Sequence, residues 1–168
     1  RSQLINNKIN NINQVIYTHM HGDQVHGIND LRIFFLLNKK KIPVHADLET
    51  QKYLIKNFSY CFNDTPSYKA ILKLKKLNKK NTFLDNKKKI LIKSVEVQHG
   101  RIKSQALIIN NKCAYMSDVN KINSRDLKFF KKLNYLIIDC LRFKKHPSHF
   151  NLDDVIKLVK YLKPKKTI

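Results

Sequence analysis

Three histidines and an aspartate fall within eight residues: His19, His21, Asp23 and His26, in the run Tyr17-Thr18-His19-Met20-His21-Gly22-Asp23-Gln24-Val25-His26-Gly27. The run follows apolar Val15 and Ile16. In an extended segment, residues two apart point the same way. His19 and His21 can therefore grip one metal ion from one side, and Asp23 follows on that side. Imidazole nitrogen and carboxylate oxygen form the ligand set that suits zinc, manganese or iron. A loop at the end of a strand is also where open α/β folds place their chemistry.

The remaining candidates share that placement. His99 ends the run Ile90 to Gln98, Asp118 follows Ala114-Tyr115-Met116, and Asp139 follows Leu136-Ile137-Ile138. His146 and His149 lie in His146-Pro147-Ser148-His149, ahead of the last helical pattern. Chemistry-bearing side chains that recur just past apolar strands argue for one shared site.

The elements that must position them alternate between strand and helix. The segment Arg1 to Ile12 reads as the end of a helix, and Gln14 to Thr18 as a short strand. His26 to Asn38 reads as a helix, with Ile28, Leu31, Phe34, Phe35 and Leu37 at roughly helical spacing. Ile42 to His45 is a strand, and Asp47 suits the N-cap of a helix running to about Lys56. Asn63-Asp64-Thr65-Pro66 is a turn signal, and the Lys-rich stretch Lys73 to Lys89 reads as a solvated hairpin or loop. Lys89 to Gln98, Gln105 to Asn110 and Lys112 to Met116 read as consecutive strands, with Asn110-Asn111 as a hairpin turn because Asn tolerates positive φ. Ser124 is the expected cap of a helix through about Lys132. Tyr135 to Asp139 reads as a buried strand. Asn151 caps a last helix, Leu152 to Leu162, with Val155, Ile156, Leu158, Val159 and Leu162 inward. Pro164 ends that helix, and a further strand begins at Lys165.

At 168 residues the chain has the length of one domain with a real core. No apolar run approaches the ~20 residues of a transmembrane helix. The N-terminus shows no charged-then-apolar export pattern. Cys61, Cys113 and Cys140 are far apart, without a Cys-x-x-Cys, which fits buried free thiols in a reducing, cytoplasmic setting rather than disulfides or a zinc-thiolate site. The formal net charge of +22 invites a nucleic-acid reading. Yet Lys, Asn and Ile are abundant while Gly and Pro number 3 and 4. That pattern follows from A/T-rich codons, so charge alone does not select a nucleic-acid partner.

The His19 block resembles the His-x-His-x-Asp-His signature of the metallo-β-lactamase-fold hydrolases. Thr18 to Arg32, Gln98-His99-Gly100, Ala114 to Val119 and Leu136 to His149 resemble, in order, the motifs of one branch, the phosphoribosyl cyclic phosphodiesterases and the kindred tRNA 3′-processing nucleases. The resemblance implies an α/β fold, an αββα metallo-β-lactamase-like sandwich, over residues 1–168 as a single domain. It implies two divalent metal ions, zinc or manganese. His19, His21 and His99 would bind one ion, Asp23 the second, and Asp118 would bridge both. His149 would contact phosphate and protonate the leaving group. Two metals ~3.5–4 Å apart can clamp both oxygens of an in-line displacement at phosphorus, and a nearby His can supply the proton. The implied activity is hydrolysis of a small phosphodiester, with Asp23 and His149 as catalytic groups. No membrane partner is implied; a homodimer and nucleic acid are compatible partners.

Two departures weaken the second metal site. Gln24 stands where the family has His, and a carboxamide is a poorer ligand than imidazole. The chain ends at Ile168, ahead of the family's Thr-His ligand motif, and opens at Arg1, after the family's first strands. The expectation is a fragment, incomplete at both ends. Two rivals follow: an RNA-end-processing nuclease, and a degenerate metal-poor protein that binds a nucleotide or nucleic acid. His26 is expected to pack in its helix, His45 and Asp47 to serve structure, His146 to shape the Pro147 loop, Asp30 and Arg32 to pair, and Asp139 to orient either a ligand His or Arg142.

Overall fold

The computed structural model describes residues 2–85 and 87–168. Compactness divides the chain after Leu77, and each unit has its own sheet. Arg1 lies outside the described residues; the expected N-terminal helix is the short α1, Ser2–Asn6.

The first unit is built on three parallel strands in the order β1 (Val15–Ile16), β2 (Ile42–Ala46) and β3 (Leu72–Lys76). Parallel neighbours need crossovers, and helices supply them. The β1–β2 crossover differs from the single expected helix. It contains α2 (Gly22–Val25), a 3₁₀ helix (His26–Leu31) and α3 (Arg32–Asn38). Ile28 and Leu31 are buried three residues apart, the period of a 3₁₀ turn. Leu37, expected inside, is exposed, because α3 turns its Phe34 inward instead. The β2–β3 crossover is α4 (Leu48–Phe62), longer than expected. Asp47 caps it as expected, Oδ1 accepting from the Thr50 N–H at 2.8 Å.

β3 is the main correction in this unit. The Lys-rich segment, expected as a solvated hairpin or loop, begins instead as a strand whose Leu72 is buried and whose Leu74 is half-buried, while residues 80–85 pair antiparallel with 88–93 as a hairpin requires. Leu74 sits in register with Val44 of β2. Alternation with period two places these leucines on one face and lysines on the other. The core of this unit is Val25, Ile28, Leu31, Phe34, Ile42, Val44, Leu54 and Ile71.

The second unit is a six-stranded mixed sheet with its strands in chain order. These are β4 (Lys80–Asp85), β5 (Lys88–His99), β6 (Ile102–Ile109), β7 (Cys113–Met116), β8 (Tyr135–Ile138) and β9 (Lys166–Thr167). The first four are antiparallel to their neighbours; β7, β8 and β9 are parallel. It follows that β5, β7 and β8 run in the same direction. Asn110 and Asn111, at φ 50° and 53°, make the expected hairpin turn. α5 (Leu152–Leu162) covers one face and is capped as expected by Asn151, whose Oδ1 accepts from the Asp154 N–H at 3.1 Å. Val155 and Leu162 of α5 pack with Val95, Val97, Ala106, Ile108, Met116, Phe130 and Leu136. Ile156, expected inside, is exposed.

Two further expectations change. The segment after Asn123 is a 3₁₀ helix, Ser124–Phe130, and its cap is Asn123 rather than Ser124, with Oδ1 accepting from the Arg125 N–H. β8 is only partly the fully buried strand expected, since Tyr135 is exposed. Cys61 is buried, Cys113 half-buried and Cys140 exposed, all as free thiols; the expectation of burial fails at Cys140. No helix among the described residues is long and apolar enough to cross a membrane.

Candidate metal centre

In the second unit the sheet delivers three candidates to one end. On β5, Val95, Val97 and His99 alternate onto the core face, so the strand's period carries the imidazole into the interior, where it is 3% exposed. Asp118 lies two residues past β7 and Asp139 one residue past β8. His149 comes from the loop between β8 and α5. One ligand atom each from His99, Asp118 and His149 lie within 4.8 Å of one another.

The hydrogen bonds fix which nitrogen of each ring carries a proton. His99 Nδ1 lies 2.7 Å from the Ser148 carbonyl, which can only accept. The neutral ring therefore has its lone pair on Nε2. His149 Nδ1 donates to Asp139 Oδ2 at 2.6 Å. Its other nitrogen is left for a metal or a substrate. Asp139 Oδ2 also accepts from the Val119 N–H at 3.1 Å. Of the two roles expected for Asp139, it takes the histidine; Arg142 donates instead to the carbonyls of Lys144 and Lys145. Burial pushes the Asp139 carboxyl above its ordinary range, opposed by these two donors.

His99 and Asp118 offer an imidazole and a carboxylate of the kind a divalent cation takes, and His149, backed by Asp139, stands beside them. The donor set is hard-to-borderline and suits zinc or manganese.

His146 completes a cluster of rings. It lies 5.1 Å from His149, which lies 4.7 Å from His99. His146 Nδ1 accepts from the Ser148 N–H at 3.3 Å, consistent with the loop-shaping role expected of it. Ser148 is thus held from both sides, by His146 at its nitrogen and by His99 at its carbonyl. It also packs on Gly100, whose φ of +57° and whose closeness to Ser148 both demand glycine: an added Cβ would lie 2.8 Å from Ser148 Cβ.

The first unit holds a second group of candidates. His19 is buried and His21 exposed, their ring centroids 4.8 Å apart. Thr18 Oγ1 lies 3.2 Å from His19 Nδ1. Asp23 falls in the first turn of α2, and Gln24 Nε2 donates to its Oδ2 at 3.0 Å. That bond, the first of several causes, holds the Asp23 carboxyl below the usual range. His26 opens the 3₁₀ helix with its ring beside Gly22 and 6.0 Å from the Phe58 ring, but it is exposed rather than packed inside. His45 Nε2 donates to Gln14 Oε1 at 2.8 Å. Arg32, expected to pair with Asp30, stacks its guanidinium 4.2 Å over the Tyr68 ring.

Asn120 is a supporting residue that the motifs did not announce, while Gly100 and Ser148 lie inside motifs quoted for their histidines. The signal available was modest: an Asn two residues past Asp118, a residue type that bonds backbone groups readily.

The family model described as beta-lactamase superfamily domain matches residues 2–168. The chain belongs to that family, and its two sheets and helices are of the metallo-β-lactamase fold. Among solved structures it is similar to a new diphosphatase from the PhnP family, with a TM-score of 0.84 and 25% identity, covering 99% of this chain and 62% of that one. It is also similar in fold to the short form of human tRNase Z, with a TM-score of 0.66 and 16% identity over 93% of this chain and 70% of that one. These structures represent the branch whose motifs the sequence resembles. A curated relative, an octanoyltransferase of Porphyromonas gingivalis, is 25% identical over 160 residues, 95% of this chain. The chain spans about a third of that relative, 32% of its length.

Proposed function

We propose that this chain is the metal-binding part of a metal-dependent hydrolase whose substrate is a phosphodiester. The observation that carries the reading is the His99–Asp118–His149 group, with Asp139 bonded behind His149. Divalent ions, when bound, would supply a nucleophilic hydroxide and withdraw charge from a phosphoryl oxygen. By the order of the family motifs, the ligands are His19, His21, His99 and Asp118, with Asp23 and the Gln24 position belonging to the second ion. His149 is the acid that delivers a proton to the departing oxygen, and Asp139 stabilises its charged form. The single-domain reading of residues 1–168 is part of this proposal.

The test is hydrolysis of an aryl phosphodiester, bis(p-nitrophenyl) phosphate, by protein stripped of metal and then reloaded with manganese or zinc. Turnover restored by metal and lost in His99→Ala is expected. No turnover with either ion would remove the reading. The octanoyltransferase name belongs to a protein about three times as long as the match.

A nucleic-acid substrate is favoured by one observation. Lys80 faces Lys93 directly across the β4–β5 pair, and Lys128 shares the Phe129 ring with Lys93. Such opposed like charges destabilise a sheet unless an anion lies over them. A binding constant for single-stranded RNA that falls steeply with salt would support this substrate.

A further inference from the structure

The turn after His99 and the loop that carries His146 and His149 are joined through one carboxamide. Asn120 Oδ1 accepts from the Gly100 N–H at 3.0 Å. Asn120 Nδ2 donates to the Pro147 carbonyl at 2.9 Å. Its backbone N–H donates to the Gln98 carbonyl at 2.9 Å. The two side-chain bonds span 20 and 27 residues of sequence. Only an amide offers a donor and an acceptor on one short planar group. Aspartate would keep the bond to Gly100 and lose the one to Pro147; alanine would lose both.

The bonds made by Asn120 flank the residues that matter. Gly100 follows His99, and Pro147 precedes the Ser148 carbonyl on which His99 Nδ1 rests. The His99 and His149 rings stand 4.7 Å apart at this joint. Their separation is set by loop against turn, not by neighbouring rungs of a strand ladder.

We propose that Asn120 is a positioning residue for the metal centre: by tying Pro147 to Gly100 it holds the Ser148 carbonyl on His99 and fixes His149 relative to His99. This rests on the metal-centre reading above. Removing a partner behind a metal ligand typically costs ~10–100-fold in metal affinity or activity, and loss of Asn120 belongs in that class.

The test compares Asn120→Ala and Asn120→Asp with Asn123→Ala. Asn123 caps the 3₁₀ helix Ser124–Phe130 through Arg125, so its loss is a control for a missing Asn side chain outside the site. The first readout needs no metal: imidazole proton and nitrogen NMR follows the His99 Nδ1–H and its exchange with water. Exchange faster than wild type by roughly tenfold or more in both Asn120 variants, with Asn123→Ala unchanged, is expected. The second readout is Co²⁺ affinity by its d–d absorption, which should weaken ~10–100-fold, with kcat falling more than KM rises. Unchanged His99 exchange in Asn120→Ala would overturn the proposal, whatever happens to metal. Wild-type protein that binds no Co²⁺ would instead sink the metal-centre reading, and the imidazole readout would still decide the role of Asn120. If Asn120→Ala fails to fold while Asn120→Asp folds, the comparison is made on Asn120→Asp alone, with the same criteria.

Discussion

Asp139 Oδ2 accepts the Nδ1 proton of His149 at 2.6 Å, and Asp118 Oδ1 stands 3.5 Å from the same nitrogen. One histidine is therefore shared between a candidate metal ligand and a carboxylate that points it. Asp139→Asn preserves the shape but removes the charge that favours an imidazolium. The expected result is a fall in kcat of ~10–100-fold with little change in KM. Wild-type kcat in this variant would mean that His149 needs no partner.

Gln24 sits beside Asp23 and engages its carboxylate. Gln24→His replaces that contact with an imidazole of the kind zinc-like ions prefer. Elemental analysis after dialysis against limiting Zn²⁺ should find more metal per chain in the variant than in wild type, and turnover should rise with it. Equal metal content would show that Gln24 is not what limits the second site.

Buried His45 gives the first unit a pH dependence. Burial, with the Lys75 ammonium second, pushes its imidazole below the ordinary value. The unfolded chain takes up this proton near pH ~6.5, the folded chain only at lower pH. Between those two points the unfolded state holds more protons, so stability falls as pH drops; above ~6.5 this contribution is complete and flat. Urea melts from about pH 8 to about pH 5 should show the decline in wild type and a shallower one in His45→Gln. Parallel curves would assign the acid sensitivity elsewhere.

Gly100→Ala tests the close approach of the two site loops. The substitution combines a positive φ with a Cβ 2.8 Å from Ser148 Cβ. A destabilisation of at least ~1 kcal/mol is expected. More tellingly, metal affinity should fall with it, because Ser148 must move and its carbonyl holds His99. Loss of stability with intact metal affinity would show that the loop can shift without disturbing the ligand.

Much of this was legible in the sequence, for identifiable reasons. His19 and His21 stood out because their spacing is local, whereas Asp23, expected to follow in the same extended segment, lies in the first turn of α2. The Asp47 and Asn151 caps and the Asn110-Asn111 turn were readable for the same reason: each depends on residues within a few positions. β3 was hidden because its lysines carry the outward face, and charge masked the alternating leucines at 72 and 74. The crossover after His26 was misread because apolar residues three apart satisfy a helical template without specifying 3.6 residues per turn over 3.0. Asn120 was not legible at all: its two partners are backbone groups 20 and 27 residues away, which no local pattern encodes.

β5, β7 and β8 share a direction, and His99, Asp118 and Asp139 lie at or just past their trailing ends. The Asn110–Asn111 reversal lies at the opposite edge, beside the start of β5, where Asn110 Oδ1 accepts from the Leu91 N–H. The sheet is thus polarised into a reacting margin and a scaffolding margin. A fluorophore, affinity peptide or surface tether grafted at the asparagine pair would sit several rungs from the histidines, giving this domain a handle by which it can be watched or immobilised while its chemistry is left alone.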